Sequence, residues 1–169
     1  AMFAIRERSL KLLVSTNIDS DSRIIINRNI LERVKTIMPY LAYENDPYIV
    51  VIDGKLFWIL DAYTTSDKYP YSEPYTEGTN INYIRNSVKV VIDACNGSAT
   101  YYLVDDKDPV ANTFMNIYPA LFKPFDEMPD EVRSHIRYPS TKLNIQANVY
   151  TRYHMSYVRV FYQDEDLWD

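Results

Sequence analysis

An α+β fold is what this sequence predicts: a mainly antiparallel sheet built from two β-hairpins, with helices packed on it. Three observations predict it. Asp53-Gly54 separates two runs of strand-forming residues, and Asn96-Gly97 separates two more. Apolar residues recur at helical spacing before the first hairpin and after the second. A lone hairpin is marginal in water, so the two are expected to join one sheet.

The elements follow in chain order. Residues 1–20 read as a peripheral arm, in which Leu10 to Ile18 forms a strand or an extended segment. From Asn29 the pattern is helical, with Ile30, Leu31, Val34, Ile37, Met38 and Leu41 on one side. Pro39 ends that helix near Met38, while Ile24, Ile25 and Ile26 either extend its start or form a short strand. The first hairpin pairs Tyr48–Ile52 with Lys55–Tyr63 about Asp53-Gly54, which suits a turn with two residues at positive φ. In this register Val51 faces Leu56 and Ile49 faces Trp58, with Val50, Phe57 and Ile59 on the opposite side. Both faces are apolar, so this hairpin is expected to be central or covered twice.

The second hairpin pairs Ser87–Cys95 with Ser98–Val104. Val88, Val90, Ile92, Tyr101 and Leu103 share one face, and Lys89, Asp93, Thr100 and Tyr102 the other, so this one is expected to be half exposed. Asp108 and Pro109 then read as an N-cap and first helical position, ahead of a stripe of Val110, Phe114, Ile117, Tyr118 and Leu121. Short helices are expected from Pro129 to Ile136 and from Lys142 to His154.

Bulk properties narrow the function. At 169 residues the chain reads as one soluble domain, long enough to bury a core. The formal charge is −5 and no basic run stands out, which argues against nucleic acid as a partner. One cysteine, Cys95, excludes an internal disulfide. No apolar run approaches the ~20 residues of a spanning helix. Ala1 before Met2 reads as a cloning remnant and the abrupt end at Trp168-Asp169 as a cut, so a fragment of something longer is expected.

Residues that could carry chemistry are few. No nucleotide-binding glycine loop or nucleophile elbow occurs, and there are three glycines in all. His135 and His154 lack metal-ligand spacing, and the acidic group Asp105, Asp106 and Asp108 lacks the glycine and distal Glu of a calcium loop. No metal or cofactor is expected. Cys95 beside Asp93 has the wrong electrostatics for a reactive thiol. Among carboxylates that could be paired, Asp53 is explained by its turn, and Asp61 and Asp93 sit late in strands. The remaining candidate is the segment Tyr63 to Tyr83, with five tyrosines and two prolines. Tyrosine joins a flat apolar face to a hydroxyl and suits sugars, peptides or a partner protein; it serves equally to pin a loop onto a sheet. Tyr69, Tyr71, Tyr75 and Asp67 are therefore the candidate binding residues.

The phrases YLAYENDPYIVVIDGKLFWILDAYTTSDKYPYSEPY, NYIRNSVKVVIDACNG, PALFKPFDEMP and RYHMSYVRVFYQDEDLW together resemble an uncharacterised bacterial family of large membrane proteins. Its members carry several N-terminal transmembrane helices and a long extracytoplasmic region. The resemblance runs from about Asn27 onward, with Cys95 where the family is expected to have tyrosine. It implies an excised soluble piece of a cell-membrane protein, facing outside, whose first partner is the rest of its own polypeptide. It carries over no activity and no catalytic residue. The expectation is a non-catalytic extracytoplasmic module that binds an envelope partner or ligand or assembles with its own chain. The alternatives are a carboxylate-dependent hydrolase acting on envelope polymers through residues such as Asp67, and a purely structural spacer.

Overall fold

The computed structural model describes residues 2–19, 21–22, 26–75 and 78–168. The fold is α+β, as the sequence predicts. Its centre is a six-stranded sheet of β1 (Ala42–Tyr43), β2 (Tyr48–Ile52), β3 (Lys55–Ser66), β4 (Tyr83–Asp93), β5 (Ala99–Leu103) and β6 (Phe122–Pro124). The spatial order is β1-β3-β4-β5-β6, and β2 pairs with β3 on the same side as β1. All pairs are antiparallel except β5 with β6. The helices are α1 (Met2–Arg6), α2 (Lys11–Val14), α3 (Ile30–Ile37), α4 (Pro109–Ile117), α5 (Asp130–Arg133), α6 (Ser140–Tyr153) and α7 (Val158–Gln163).

Both hairpins form where expected. Val51 opposes Leu56 and Ile49 opposes Trp58, with Asp53 at φ +50° and Gly54 at +73°. Positive φ at both positions makes the two-residue turn follow the strand twist. The second turn is longer. Asp93 N–H donates to Ser98 O at 3.0 Å, and within the turn only Gly97 takes positive φ. The Asp93 carboxylate accepts from Cys95 N–H at 2.7 Å and Asn96 N–H at 3.1 Å, so an Asp-capped loop replaces a tight turn.

Burial reverses the expectation for the hairpins. β4 is covered on both faces from Ser87 to Ile92, and β3 from Ile59 to Thr64. The first hairpin is covered there and on the face of Val50, but on its other face Ile49, Val51 and Leu56 near the tip are 45%, 62% and 42% exposed. One face of the sheet holds Leu60, Ala62, Val88, Val90, Ile92, Tyr101 and Leu103 against Val34, Met38 and Ala111. The other holds Ile59, Val91 and Tyr102 against Met128 and Val132.

The helices depart further from the expected pattern. Asn29 caps α3, its side chain accepting from Glu32 N–H at 3.2 Å. The α3 end is held by two tyrosine hydroxyls: Tyr43 donates to Met38 O at 2.6 Å, and Tyr101 to Val34 O at 3.2 Å. Asp108 and Pro109 open α4 as predicted, and of the expected stripe Phe114 and Leu121 pack against the core while the other three do not. Val110, Ile117 and Tyr118 are exposed, and Ala111 is the fully buried contact, with Phe114 and Met115 partly buried beside it. A small residue lets the helix approach a sheet already filled by large side chains. Leu10 to Ile18 contains no strand: Val14 N–H bonds Leu10 O, and α2 forms. Ile24 and Ile25 lie outside the described residues, and Ile26 precedes the helix without joining it. The helix expected from Pro129 shortens to α5, and the last expected helix is α6.

Candidate functional site

The loop joining β3 to β4 spans residues 67–82 and is organised by a residue the sequence reading passed over, Asn82. Its side-chain carbonyl accepts from Tyr69 N–H at 3.1 Å, and its amide donates to Tyr69 O at 2.8 Å and Ser72 O at 3.2 Å. An amide side chain has donors and an acceptor together, so one residue closes a loop from both sides. Asparagine inside a Pro- and Tyr-rich loop was the available signal. Tyr69 stacks on Tyr83 at 5.4 Å and is about half exposed. Tyr71 projects wholly into solvent at φ +57°, and Tyr75 is partly buried. Asp67 is exposed at the start of the loop. The loop therefore presents Tyr71 and one side of Tyr69 and does not gather all four candidates around one point.

At the base of this loop lies a cleft of about 300 Å³ lined by Tyr63, Arg85, Asn86, Asp105, Lys142 and Gln146. A bulge shapes it. Ala62 pairs with Val88 and Thr64 with Arg85, so Tyr63 opposes two residues, Asn86 and Ser87. Arg85 Nε donates to Asp105 Oδ2 at 2.5 Å. Beneath the cleft the polar side chains are shared among strands and the segment leading into α6. Lys89 and Asp61 form a buried ion pair, and Asn86 donates to the same Asp61 oxygen at 2.9 Å. Lys89 also reaches Arg137 O at 3.4 Å.

Glu44 links the cleft to α6. Tyr63 donates to Glu44 Oε2 at 2.7 Å, and Thr141 donates through its N–H at 3.0 Å and its hydroxyl at 2.9 Å. Burial pushes the Glu44 carboxyl up, but these donors outweigh it and hold it below the usual range. The Tyr63 hydroxyl is pushed well above the tyrosine range by burial and by the Glu44 charge. On the opposite side of the sheet Asp108 does similar work: Thr64 donates to it at 2.5 Å, Ser87 also donates, and Val110 N–H completes the cap at 2.9 Å.

Two of the clefts elsewhere bear on residues singled out above. One of about 560 Å³ is lined by Arg28, Arg33, Asp93, Cys95 and Asn96, with Cys95 exposed. The other, about 330 Å³, carries Asp53, Asp93 and Glu131 at the open end of the sheet. Asp93 is occupied by its own turn, so the carboxylate face of this cleft rests on Asp53 and Glu131. Among the described residues, no three His, Cys, Asp or Glu side chains gather as a metal site.

The C-terminal helices are placed differently from everything above. No residue of α6 or α7 is buried. Tyr150, Tyr153, Tyr157, Val158 and Tyr162 are 60–86% exposed. Their ring contacts are local, Tyr153 with Phe161 at 5.5 Å and Tyr150 with Trp168 at 5.6 Å.

Sequence comparison places the molecule. The chain is 52% identical over 168 residues to the UPF0182 protein CA_C0010 of Clostridium acetobutylicum. It is 53% identical to UPF0182 proteins of Alkaliphilus metalliredigens and Methanospirillum hungatei. In each case 99% of this chain is covered but only 18–19% of the relative, so the chain spans under a fifth of their length. No solved structure matches it. The profile of one uncharacterised protein family matches residues 1–169, and the chain belongs to that family, UPF0182.

Proposed function

We propose that this chain is a non-catalytic assembly module in the extracytoplasmic region of a larger membrane protein, and that it docks on other parts of its own polypeptide. One observation carries the reading: no residue of α6 or α7 is fully buried, while the two helices hold a row of exposed tyrosines and valines. Isolated helices shorter than about 12–15 residues are marginal in water, and most helix stability in proteins comes from packing an apolar face. Relatives are more than five times as long, which leaves room elsewhere in such a polypeptide for the covering surface. Among the described residues no helix is long and apolar enough to cross a membrane, so the proposed membrane attachment belongs to other parts of the protein.

Hydrogen exchange tests the docking. Segment 140–163 should exchange more slowly in the full-length protein than in the 169-residue chain, and equal exchange in the two would sink the reading. The membrane side is tested at Cys95, which is exposed. With other cysteines removed from the full-length protein, a membrane-impermeant maleimide should label Cys95 on intact cells; labelling only after lysis would reverse the orientation.

A second reading, ligand binding by the loop, is favoured by the Asn82 scaffold that holds Tyr69 and Tyr71 outward. Replacing Tyr69, Tyr71 and Tyr75 together by alanine should abolish binding of cell-wall fragments or membrane-protein partners. Binding that survives the triple substitution removes the loop from consideration. Hydrolysis finds less support, because Asp67 is exposed while Asp61, Asp93 and Asp108 are engaged by Lys89, a turn and a helix cap.

A further inference from the structure

We infer that β2 is an acceptor edge, completed in the intact protein by an extended strand from another part of the same polypeptide. The inference rests on the assembly reading and adds to it a place and a form. In the hairpin register Ile52 pairs with Lys55, Val50 with Phe57 and Tyr48 with Ile59. In a two-residue hairpin the pair flanking the turn exchanges hydrogen bonds, and every second pair after it does so too. The backbone groups of Tyr48, Val50 and Ile52 thus point to β3, and those of Ile49 and Val51 point away. Among the described residues neither Ile49 nor Val51 finds a partner for its outward N–H or C=O. Their side chains are 45% and 62% exposed, and Leu56 beside them is 42% exposed.

Natural edge strands are guarded by charge, proline, bulges or a covering element. Tyr48–Ile52 has none of these within its length: it is free of bulges, mostly β-branched and uncharged. By contrast the opposite edge, β6, is three residues long and contains Lys123 and Pro124. An unguarded edge of this kind accepts a strand through main-chain hydrogen bonds, with alternate side chains giving specificity. The occupant would place apolar side chains over Ile49 and Val51.

Two observations point to the same polypeptide and away from a second copy. Antiparallel self-pairing centred on Val50 sets Asp53 of each copy beside Asp46-Pro47 of the other, acid near acid at both ends, between chains of formal charge −5. The chain also spans only 18% of its relatives, so most of the protein is tethered nearby at high effective concentration.

The test is hydrogen exchange by mass spectrometry on the 169-residue chain and on the full-length protein. The segment 48–52 should gain two slowly exchanging amides, those of Ile49 and Val51, only in the full-length protein. Val51→Lys should remove that gain while leaving the melting temperature of the 169-residue chain unchanged. Protection of 140–163 without the gain at 48–52 overturns the edge inference and spares the assembly reading; loss of both overturns both. Protection of 48–52 in the 169-residue chain that grows with its concentration would identify a second copy as the occupant and overturn the inference.

Discussion

The two hairpins are built alike and live in different solvents. Each reverses direction with a glycine at φ +73°, and each pairs a longer strand with a five-residue one. Around β4 and β5 both faces are covered, and the polar groups caught there are all matched: Lys89 by Asp61, Ser87 and Thr64 by Asp108, the Tyr101 hydroxyl by Val34 O. Around the tip of β2 and β3 the side chains are apolar and the surroundings are water. A strand's own composition therefore decides less than its neighbours do. Polar residues go into the middle of a sheet when partners arrive with them, and apolar residues remain outside when the element that covers them is elsewhere.

The contrast between the two hairpins is most exposed to test at Lys89. Lys89→Ala leaves Asp61 charged, buried and unpaired, and should cost about 3–5 kcal/mol in urea denaturation. Replacing both by apolar residues of similar volume should cost less than that single change. If Lys89→Ala loses under about 1 kcal/mol, water reaches the pair and the second hairpin is not doubly covered.

Next comes a matched pair of truncations. Ile92→Ala, at a site with no exposure, should destabilise by about 2–5 kcal/mol, whereas Ile49→Ala should stay within about 0.5 kcal/mol in the isolated chain. Equal losses would mean that the first hairpin tip is covered after all.

Alkaline pH probes the same contrast. Burial pushes the Tyr101 hydroxyl up to about 12, from an ordinary value of 10.0. The unfolded chain then loses its proton first, so stability is whole below pH 10 and falls as pH rises toward 12. Tyr43 and Tyr63 shift in the same direction and steepen the fall. Tyr101→Phe should lower stability by about 1 kcal/mol at neutral pH and flatten the alkaline loss. An unchanged alkaline slope would clear Tyr101 of responsibility.

The smallest effect separates the turns. Both glycines disfavour a side chain by their φ, at about 1–2 kcal/mol. A Cβ at Gly54 meets open space, but at Gly97 it runs into the Arg33 guanidinium, whose Nε donates to Gly97 O at 2.7 Å. Gly97→Ala should therefore cost about 1 kcal/mol more than Gly54→Ala in thermal melts. Equal costs would mean that Arg33 swings aside freely.

Much of this architecture was legible beforehand. Asp53-Gly54 fixed a register, because the turn type and the strand pairing are one geometric fact. Asp108-Pro109 marked a helix start through a side chain that accepts a backbone N–H, whereas the capping role of Asn29 was not read and the start of α3 was left open. What was not legible depends on encounters between distant residues. Lys89 looked like an exposed face because its partner Asp61 lies 28 positions away in sequence. Ala111 gave no apolar signal large enough to outrank Val110 or Ile117, yet its smallness lets α4 approach. β6 was missed because three residues ending in proline carry no strand pattern of their own. At the candidate site the tyrosines were seen and Asn82, which arranges them, was not.

The near-sequential strand order has a consequence for biogenesis. Every strand among the described residues lies between Ala42 and Pro124, whereas the ties to the last segment reach far back: Glu44 to Thr141 across 97 positions, and Tyr48 to Arg137 across 89. Contacts between strands adjacent in sequence form early, and long-range ones wait for loop closure. During synthesis the sheet can assemble while α6 and α7 are still inside the ribosome. The helices then arrive as a late-added tether, fastened at Glu44 and along the cleft, with most of their surface left exposed.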